Sequence, residues 1–183
     1  PDPRDHRVVH VLLGGEPAQL VRIFSNNFSA TPYTDYLDYR DSTRTLTSLA
    51  AFQLAPMSLR TAGAPERVFG MAITGNYFDT LGVHPPLGRT ITEADDRIGA
   101  AGAAMLSDAF WRSRYGADPS VVGRIVILYG SPFTIVGICP ASFKGTMAPL
   151  LPDVWVPWNL SVFAPSATTL RKAQSGQMIG RLV

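Results

Sequence analysis

The 183 residues (19.8 kDa) are 46% hydrophobic and only 16% charged, and sixteen basic against fourteen acidic side chains leave a net charge of +2. A chain of this length buries roughly 70% of the surface its unfolded form exposes; the composition excludes a disordered charged tail and gives no support for a basic nucleic-acid-binding face. The single cysteine excludes an internal disulfide framework or a cysteine-based zinc cluster, and no run reaches the roughly 18 apolar residues that span a bilayer.

In chain order, Val8 to Leu13 and Gln19 to Phe24 read as strands on either side of Gly14-Gly15. Thr31 and Pro32 predict a helix start, with Thr31 as N-cap and Pro32 at the first helical position. Tyr33, Tyr36 and Leu37 then share one face of that helix, with Asp38 and Asp41 on the other. A further turn or two of helix is expected around Leu46 to Phe52, then a strand over Leu54 to Arg60, a turn at Gly63 to Pro65, and a strand over Glu66 to Thr74. Asn76 to Leu81 reads as a short helix closed by Gly82. A loop with Pro85, Pro86 and Gly88 follows, and Thr92 is placed to cap a single turn from Glu93 to Asp96.

Ala103 to Leu106 reads as a strand leading into a helix over Asp108 to Tyr115, capped by Ser107 and stopped by Gly116, with Phe110, Trp111 and Tyr115 inward. After a turn at Asp118-Pro119 comes the clearest hairpin signal: Arg124 to Leu128, then Tyr129-Gly130, then Pro132 to Ile138. Val154 to Val156 is a short strand before a loop from Asn159 to Gln174. Gly180 to Val183 reads as the opening of another strand, as expected of a piece of a longer protein. Short strands mixed with short helices give the class α+β.

Chemical motifs are few. Lys144-Gly145-Thr146 is not a phosphate loop, because Gly137 is followed five residues on by Ser142 where that loop needs glycine. The dinucleotide fingerprint and the serine-hydrolase elbow are absent, and Ser107 and Ser131 read as a helix cap and a turn residue. His6 and His10 have helical metal-ligand spacing but fall at a strand, where positions four apart do not converge. His84 reads as a surface loop residue, and Cys139 as a buried, inert thiol. Asp95-Asp96 could be paired acids, but the three-residue step from Thr92 to Asp95 favours a cap. The arginines are scattered, as solvated faces require and a nucleic-acid groove does not. Asn27-Phe28-Ser29 and Asn159-Leu160-Ser161 match the glycosylation triplet no more often than chance allows. These residues point to no catalytic group, metal or cofactor.

A series of short motifs carries more. Thr74-Gly-Asn-Tyr-Phe-Asp-Thr-Leu-Gly82, Leu87-Gly-Arg-Thr90, Thr92-Glu-Ala-Asp-Asp96, Leu106-Ser-Asp-Ala-Phe-Trp111 and Tyr115-Gly-Ala-Asp-Pro119 are followed by Val122-Gly-Arg124, Pro132-Phe-Thr-Ile-Val-Gly137, Phe143-Lys-Gly145 and Asp153-Val-Trp-Val-Pro157. The series, with the helix opening at Thr31-Pro32-Tyr33, resembles the periplasmic core domain of MacB-like ABC transporter permeases, and most of all the large duplicated permeases of acidobacteria. The resemblance covers residues 20 to 183. It implies a porter-like βαβ subdomain interrupted by a mixed α/β sabre-like insertion. Residues 1–70 would form the first porter half, 71–175 the sabre, and 176–183 the start of the second porter half.

The resemblance further implies a non-catalytic domain on the periplasmic side of the bacterial inner membrane, coupling cytoplasmic ATP hydrolysis to efflux or release of a substrate. Its implied partners are flanking transmembrane helices of the same polypeptide, a cytoplasmic ATP-binding subunit, a second permease unit or copy, and a periplasmic adaptor, with no nucleic acid. A secreted or periplasmic enzyme or binding module is the alternative. The motif residues taken over as structural are Asn76, Tyr77, Phe78, Gly82, Gly88, Arg89, Trp111, Gly123, Gly137 and Trp155, with Gly75 and Phe110 beside them and Arg89 a partner for Asp95 or Asp96. The hairpin departs from the family: Tyr129 stands where asparagine is usual, at a position that favours positive φ. The layout also predicts that the helix face of Tyr33, Tyr36 and Leu37 lacks cover, so that residues 1–70 form the less stable part.

Overall fold

In the computed structural model, which describes residues 7–10, 19–24, 31–60, 63–147, 149–158 and 175–183, strand is the commonest regular structure. The elements are β1 (Arg7–His10), β2 (Leu20–Phe24), β3 (Thr31–Pro32), α1 (Tyr33–Ser42), β4 (Leu46–Leu54), β5 (Met57–Arg60), β6 (Glu66–Val68) and β7 (Gly70–Ile73). They continue with α2 (Tyr77–Leu81), β8 (Leu87–Gly88), β9 (Gly102–Leu106), α3 (Asp108–Tyr115), a 3-10 turn at Pro119–Val121, β10 (Ile125–Leu128), β11 (Ser131–Ile138), β12 (Val154–Pro157) and β13 (Ser175–Leu182). The class is α+β.

The strands form one mixed sheet in the order β1-β2-β13-β4-β7-β12-β9-β11-β10-β5-β6, with β3 on β13 and β8 on β11. The pairs β7–β12 and β9–β11 are parallel. Strand β13 runs antiparallel between β2 and β4, so the last described strand lies inside the sheet.

Side chains alternate across a strand, and here both faces are covered. On one face Leu49, Ala51, Met178 and Trp158 lie under α1, and Phe133 and Val126 belong to the same core, against which α3 leans. On the other, Ala50, Phe52, Ile73, Met105 and Ile179 pack with Tyr77 and Phe78 of α2 and with Trp155. This two-sided burial corrects the helix expected around Leu46 to Phe52. A strand in the middle of a doubly covered sheet is apolar at consecutive positions, and its Leu49-Ala50-Ala51-Phe52 run loses the alternation that marks a strand.

Other boundaries shift for local reasons. Thr31 does not cap α1: Thr31–Pro32 pair with β13, and the helix begins at Tyr33 with Pro32 in the cap position and no side-chain cap bond. The strand expected over Leu54 to Arg60 breaks before β5, where Pro56 has no N–H to give a ladder. The strand expected over Glu66 to Thr74 breaks at Phe69, whose N–H turns to the Asp153 carboxylate at 2.8 Å. The expectation of an uncovered helix face is also corrected, because Tyr33 and Tyr36 are buried and the Tyr33 ring lies 5.5 Å from that of Trp158.

Helix α3 follows its sequence signals closely. Ser107 Oγ accepts the Phe110 N–H, and Gly116 ends the helix in the left-handed region. Phe110, Trp111 and Tyr115 lean on the core but stay only partly buried. The β10–β11 hairpin is a two-residue turn with Tyr129 at φ 51° and Gly130 at φ 78°, the type I′ pattern. Tyr129 tolerates that backbone because both its ends are tied. Its N–H donates to Ser58 O at 3.0 Å and its hydroxyl donates to Pro56 O, which fastens the turn to the β4–β5 connection.

The loop expected over Asn159 to Gln174, and residues 11–13 of the first strand, lie outside the described residues, as does His6.

Candidate functional site

Where β7 gives way to α2, Thr74-Gly75-Asn76 turns the chain across the end of the sheet. Thr74 Oγ1 accepts the Ala51 N–H at 3.0 Å and donates to Asn76 Oδ1 at 2.9 Å. Asn76 Nδ2 donates to Leu49 O at 2.8 Å, and the Tyr36 hydroxyl donates to the same carbonyl at 3.3 Å. Gly75 N–H donates to Asp96 Oδ2 at 3.0 Å. A Cβ on Gly75 would stand 2.5 Å from Glu93 Cα, so only glycine lets the two turns approach this closely.

Between α1, this turn and the turn at residues 93–97 lies an open cleft of about 210 Å³, lined by Tyr33, Tyr36, Arg40, Thr74, Gly75, Asn76, Glu93, Asp96 and Arg97. Burial pushes the Tyr36 phenol up to about 12; the Asp96 carboxylate adds to the rise, while the Thr74 hydrogen bond and Arg40 oppose it.

Under the turn, α2 sends Tyr77 and Phe78 into the core. Their rings meet edge-on at 5.3 Å, and Phe78 meets Trp155 at 6.1 Å. Phe143 closes the group, 5.6 Å from Trp155. The Tyr77 hydroxyl pairs with Thr146 Oγ1 at 2.8 Å, both residues being buried. Burial pushes the Tyr77 phenol and the Cys139 thiol far up, which leaves Cys139 protonated and unreactive. Tyr77→Phe removes one partner and strands the Thr146 hydroxyl, so it is expected to cost about 1–2 kcal/mol in urea unfolding. An unchanged midpoint would contradict that pairing.

A second group fixes the next turn. Arg89 grips Asp95 with two bonds, Nη1–Oδ2 at 2.7 Å and Nη2–Oδ1 at 2.8 Å. Asp95 Oδ2 also accepts the Thr92 N–H at 2.8 Å and the Thr92 hydroxyl at 2.9 Å. The cap expected of Thr92 is therefore reversed: the carboxylate reaches back, and Thr92 donates. Burial favours the neutral acid, but the bonds from Arg89 and Thr92 outweigh it and hold the Asp95 carboxyl below its ordinary value. A depressed carboxyl adds stability above its unfolded pKa of about 4, and that stability is lost as pH falls through the lower folded value. Asp95→Asn is thus expected to lower stability at neutral pH and to leave it closer to wild type in acid, as paired thermal scans at the two pH values would show. An equal deficit at both would count against the ion pair.

Gly88, Arg89 and Gly137 meet where β8 crosses β11. Arg89 N–H donates to Val136 O at 2.8 Å, and Gly88 pairs with Gly137 beside a bulge in β11. Trp111 and Gly123 sit elsewhere. Trp111 Nε1 donates to Asp118 O at 2.9 Å, and Gly123, at φ 92°, donates its N–H to Ile135 O at 2.8 Å. Gly82 ends α2 in the left-handed region. Beside it Arg181 of β13 donates from Nε to Thr80 O at 3.0 Å and from Nη1 to Gln19 Oε1 at 3.2 Å.

The motif residues thus fall into separate groups. Asn76, Tyr77, Phe78 and Trp155 share one neighbourhood, and Gly88, Arg89 and Gly137 another. The sequence reading misses Tyr36, Arg40 and Asp96 as cleft partners, along with Thr146 and Arg181. Their contacts bridge up to 162 positions, and no local pattern announces them. Among the described residues no three His, Cys, Asp or Glu side chains gather as a metal site, and no helix is long and apolar enough to cross a membrane.

The fold is similar to the periplasmic region of MacB from Actinobacillus actinomycetemcomitans, at TM-score 0.63 and 16% identity, over 86% of this chain and 67% of that one. It is also similar to the extracellular domain of the noncanonic ABC-type transporter YknZ from Gram-positive bacteria, at TM-score 0.61 and 18% identity, over 90% of this chain and 82% of that one. At these identities the likeness is one of fold. No curated protein matches the sequence. A family-level match covers residues 7–182, nearly the whole chain, and on that ground the chain belongs to the family of MacB-like periplasmic core domains.

Proposed function

We propose that this domain is a non-catalytic mechanical element of an ABC-type permease, standing outside the cytoplasmic membrane and passing motion driven by ATP hydrolysis in a cytoplasmic subunit to efflux or release of a substrate. The family match supports the setting. The observation that carries the mechanics is the place of β13: it is bonded on both edges, to β2 and β4, and its Arg181 holds the end of α2. A pull along β13 loads the sheet and α2 together, because shearing it free would break two ladders at once.

Within this reading residues 1–70 form the first half of the porter, 71–175 the sabre insertion and 176–183 the start of the second half. Porter and sabre then join within the sheet at two seams, where β4 pairs with β7 and where β5 of the β5–β6 hairpin pairs with β10. The partners are flanking transmembrane helices, an ATP-binding subunit, a second permease unit and a periplasmic adaptor.

Spin-label distances in the full-length permease with its ATP-binding subunit test this. One label goes on α3, at Ser113→Cys, and one at the outer end of a flanking transmembrane helix. A second pair joins Ser113→Cys to Asp38→Cys on α1. ATP is expected to change the first distance and leave the second as it was in ADP. A first distance that ignores nucleotide would overturn the relay, and a shift in the second would overturn its rigidity.

A further inference from the structure

The cleft at the end of the sheet has features that a relay does not require. At about 210 Å³ it is smaller than the pockets of roughly 300–1,000 Å³ that hold drug-sized ligands, so its occupant is no larger than an amino acid or a short peptide end. Its floor is polar and already fixed: the Tyr36 hydroxyl, Thr74 and Asn76 are held by hydrogen bonds to one another and to β4, so binding would order little that is not ordered already.

Its charges are of both signs and come from different elements. Arg40 projects from α1, while Glu93 and Asp96 project from the facing turn, with Arg97 beside them. Asp96 is anchored by Gly75 N–H through Oδ2. Arg40 lies over the Tyr36 ring at 5.9 Å and spends one donor, Nε, on Asp41 at 2.9 Å. Both members of that pair are well exposed, at 47% and 66%, so it is a weak bridge, and of its five donors the guanidinium keeps some beyond those it gives to Asp41 and to Tyr36 for a ligand.

A ligand of one sign meets like charge on one wall. A ligand that carries both signs meets opposite charge on both walls, Arg40 on one and Glu93 and Asp96 on the other. We propose that this cleft binds a small zwitterion of the amino-acid or dipeptide class, with its ammonium group toward Glu93 and Asp96 and its carboxylate toward Arg40. The inference stands on the cleft alone and does not depend on coupling to ATP.

Amide NMR of the chain during titration with glycylglycine is the test, with N-acetyl-glycylglycine and glycylglycine amide as probes that each lack one charge. Saturable shifts are expected at residues 36, 40, 76 and 96, with each blocked dipeptide binding about tenfold or more weakly, the ratio that 1.4 kcal/mol of lost pairing gives. Arg40→Gln should abolish the preference for a free carboxylate, and Glu93→Gln should blunt that for a free amine. Both side chains are exposed, so spectra of the unliganded variants should stay folded and comparable. No saturation, equal binding of the blocked forms, or shifts confined to other surfaces would overturn the proposal.

Discussion

Trp155→Ala is expected to remove about 3–5 kcal/mol of stability, a large share of the roughly 5–15 kcal/mol that a folded domain has. Trp155 sits on β12 between β7 and β9, with no exposed surface, and its ring is walled by Phe78 and Phe143. Truncation leaves a void that the neighbours cannot fill, because Phe78 is held by α2 and the loop carrying Phe143 is pinned through Thr146 and Tyr77. The lost contacts and the cavity therefore add. Urea unfolding followed by far-ultraviolet circular dichroism checks this. A loss under about 1 kcal/mol, the size of an ordinary surface change, would mean that the aromatic group does not hold this face of the sheet together.

Gly137→Ala is expected to be nearly as damaging for the opposite reason. A Cβ there would stand 2.3 Å from Arg89 O, and the facing Gly88 leaves its own added Cβ only 2.2 Å from Val136 O. The obstacles are backbone atoms, held by the bond between Arg89 N–H and Val136 O, so no side-chain rotation relieves the clash. The cost is expected near the top of the overpacking range, about 3 kcal/mol, with loss of the β8–β11 pairing. Gly63→Ala is the control: a Cβ there meets nothing within 4 Å, and its unfolding midpoint should match that of wild type. Equal behaviour of the two variants would contradict the account of this crossing.

Local signals in the sequence are read correctly where the physics is local. Ser107 and Gly116 bracket α3, Gly82 closes α2, and Tyr129-Gly130 makes the hairpin, because caps and tight turns depend on residues a few positions apart. Periodicity fails at β4, where burial on both faces erases alternation and Leu49 to Phe52 resembles a helix. Thr31 is lost as a cap to a partner far along the chain, Gly176 of β13. The cleft escapes for the same reason. Thr74, Gly75 and Asn76 are visible as a motif, but Tyr36 and Asp96 come from other elements, and a sequence does not state which distant element a turn will meet. The hydrophobic face of α1 shows a related limit: its Tyr33 and Tyr36 are plain in the sequence, while the cover that Trp158 supplies is not.

The relay requires that β13 move as one body with the rest of the sheet, and backbone hydrogen exchange on the chain measures that directly. Strands that open only on global unfolding exchange most slowly and together. The account predicts that the β13 amides from Met178 to Arg181 exchange in the same slow class as those of β4, β7 and β12, and at rates like those of β9 and β11. Exchange of β13 and β4 orders of magnitude ahead of β9 and β11 would show a sheet that comes apart between its two halves, and would contradict it.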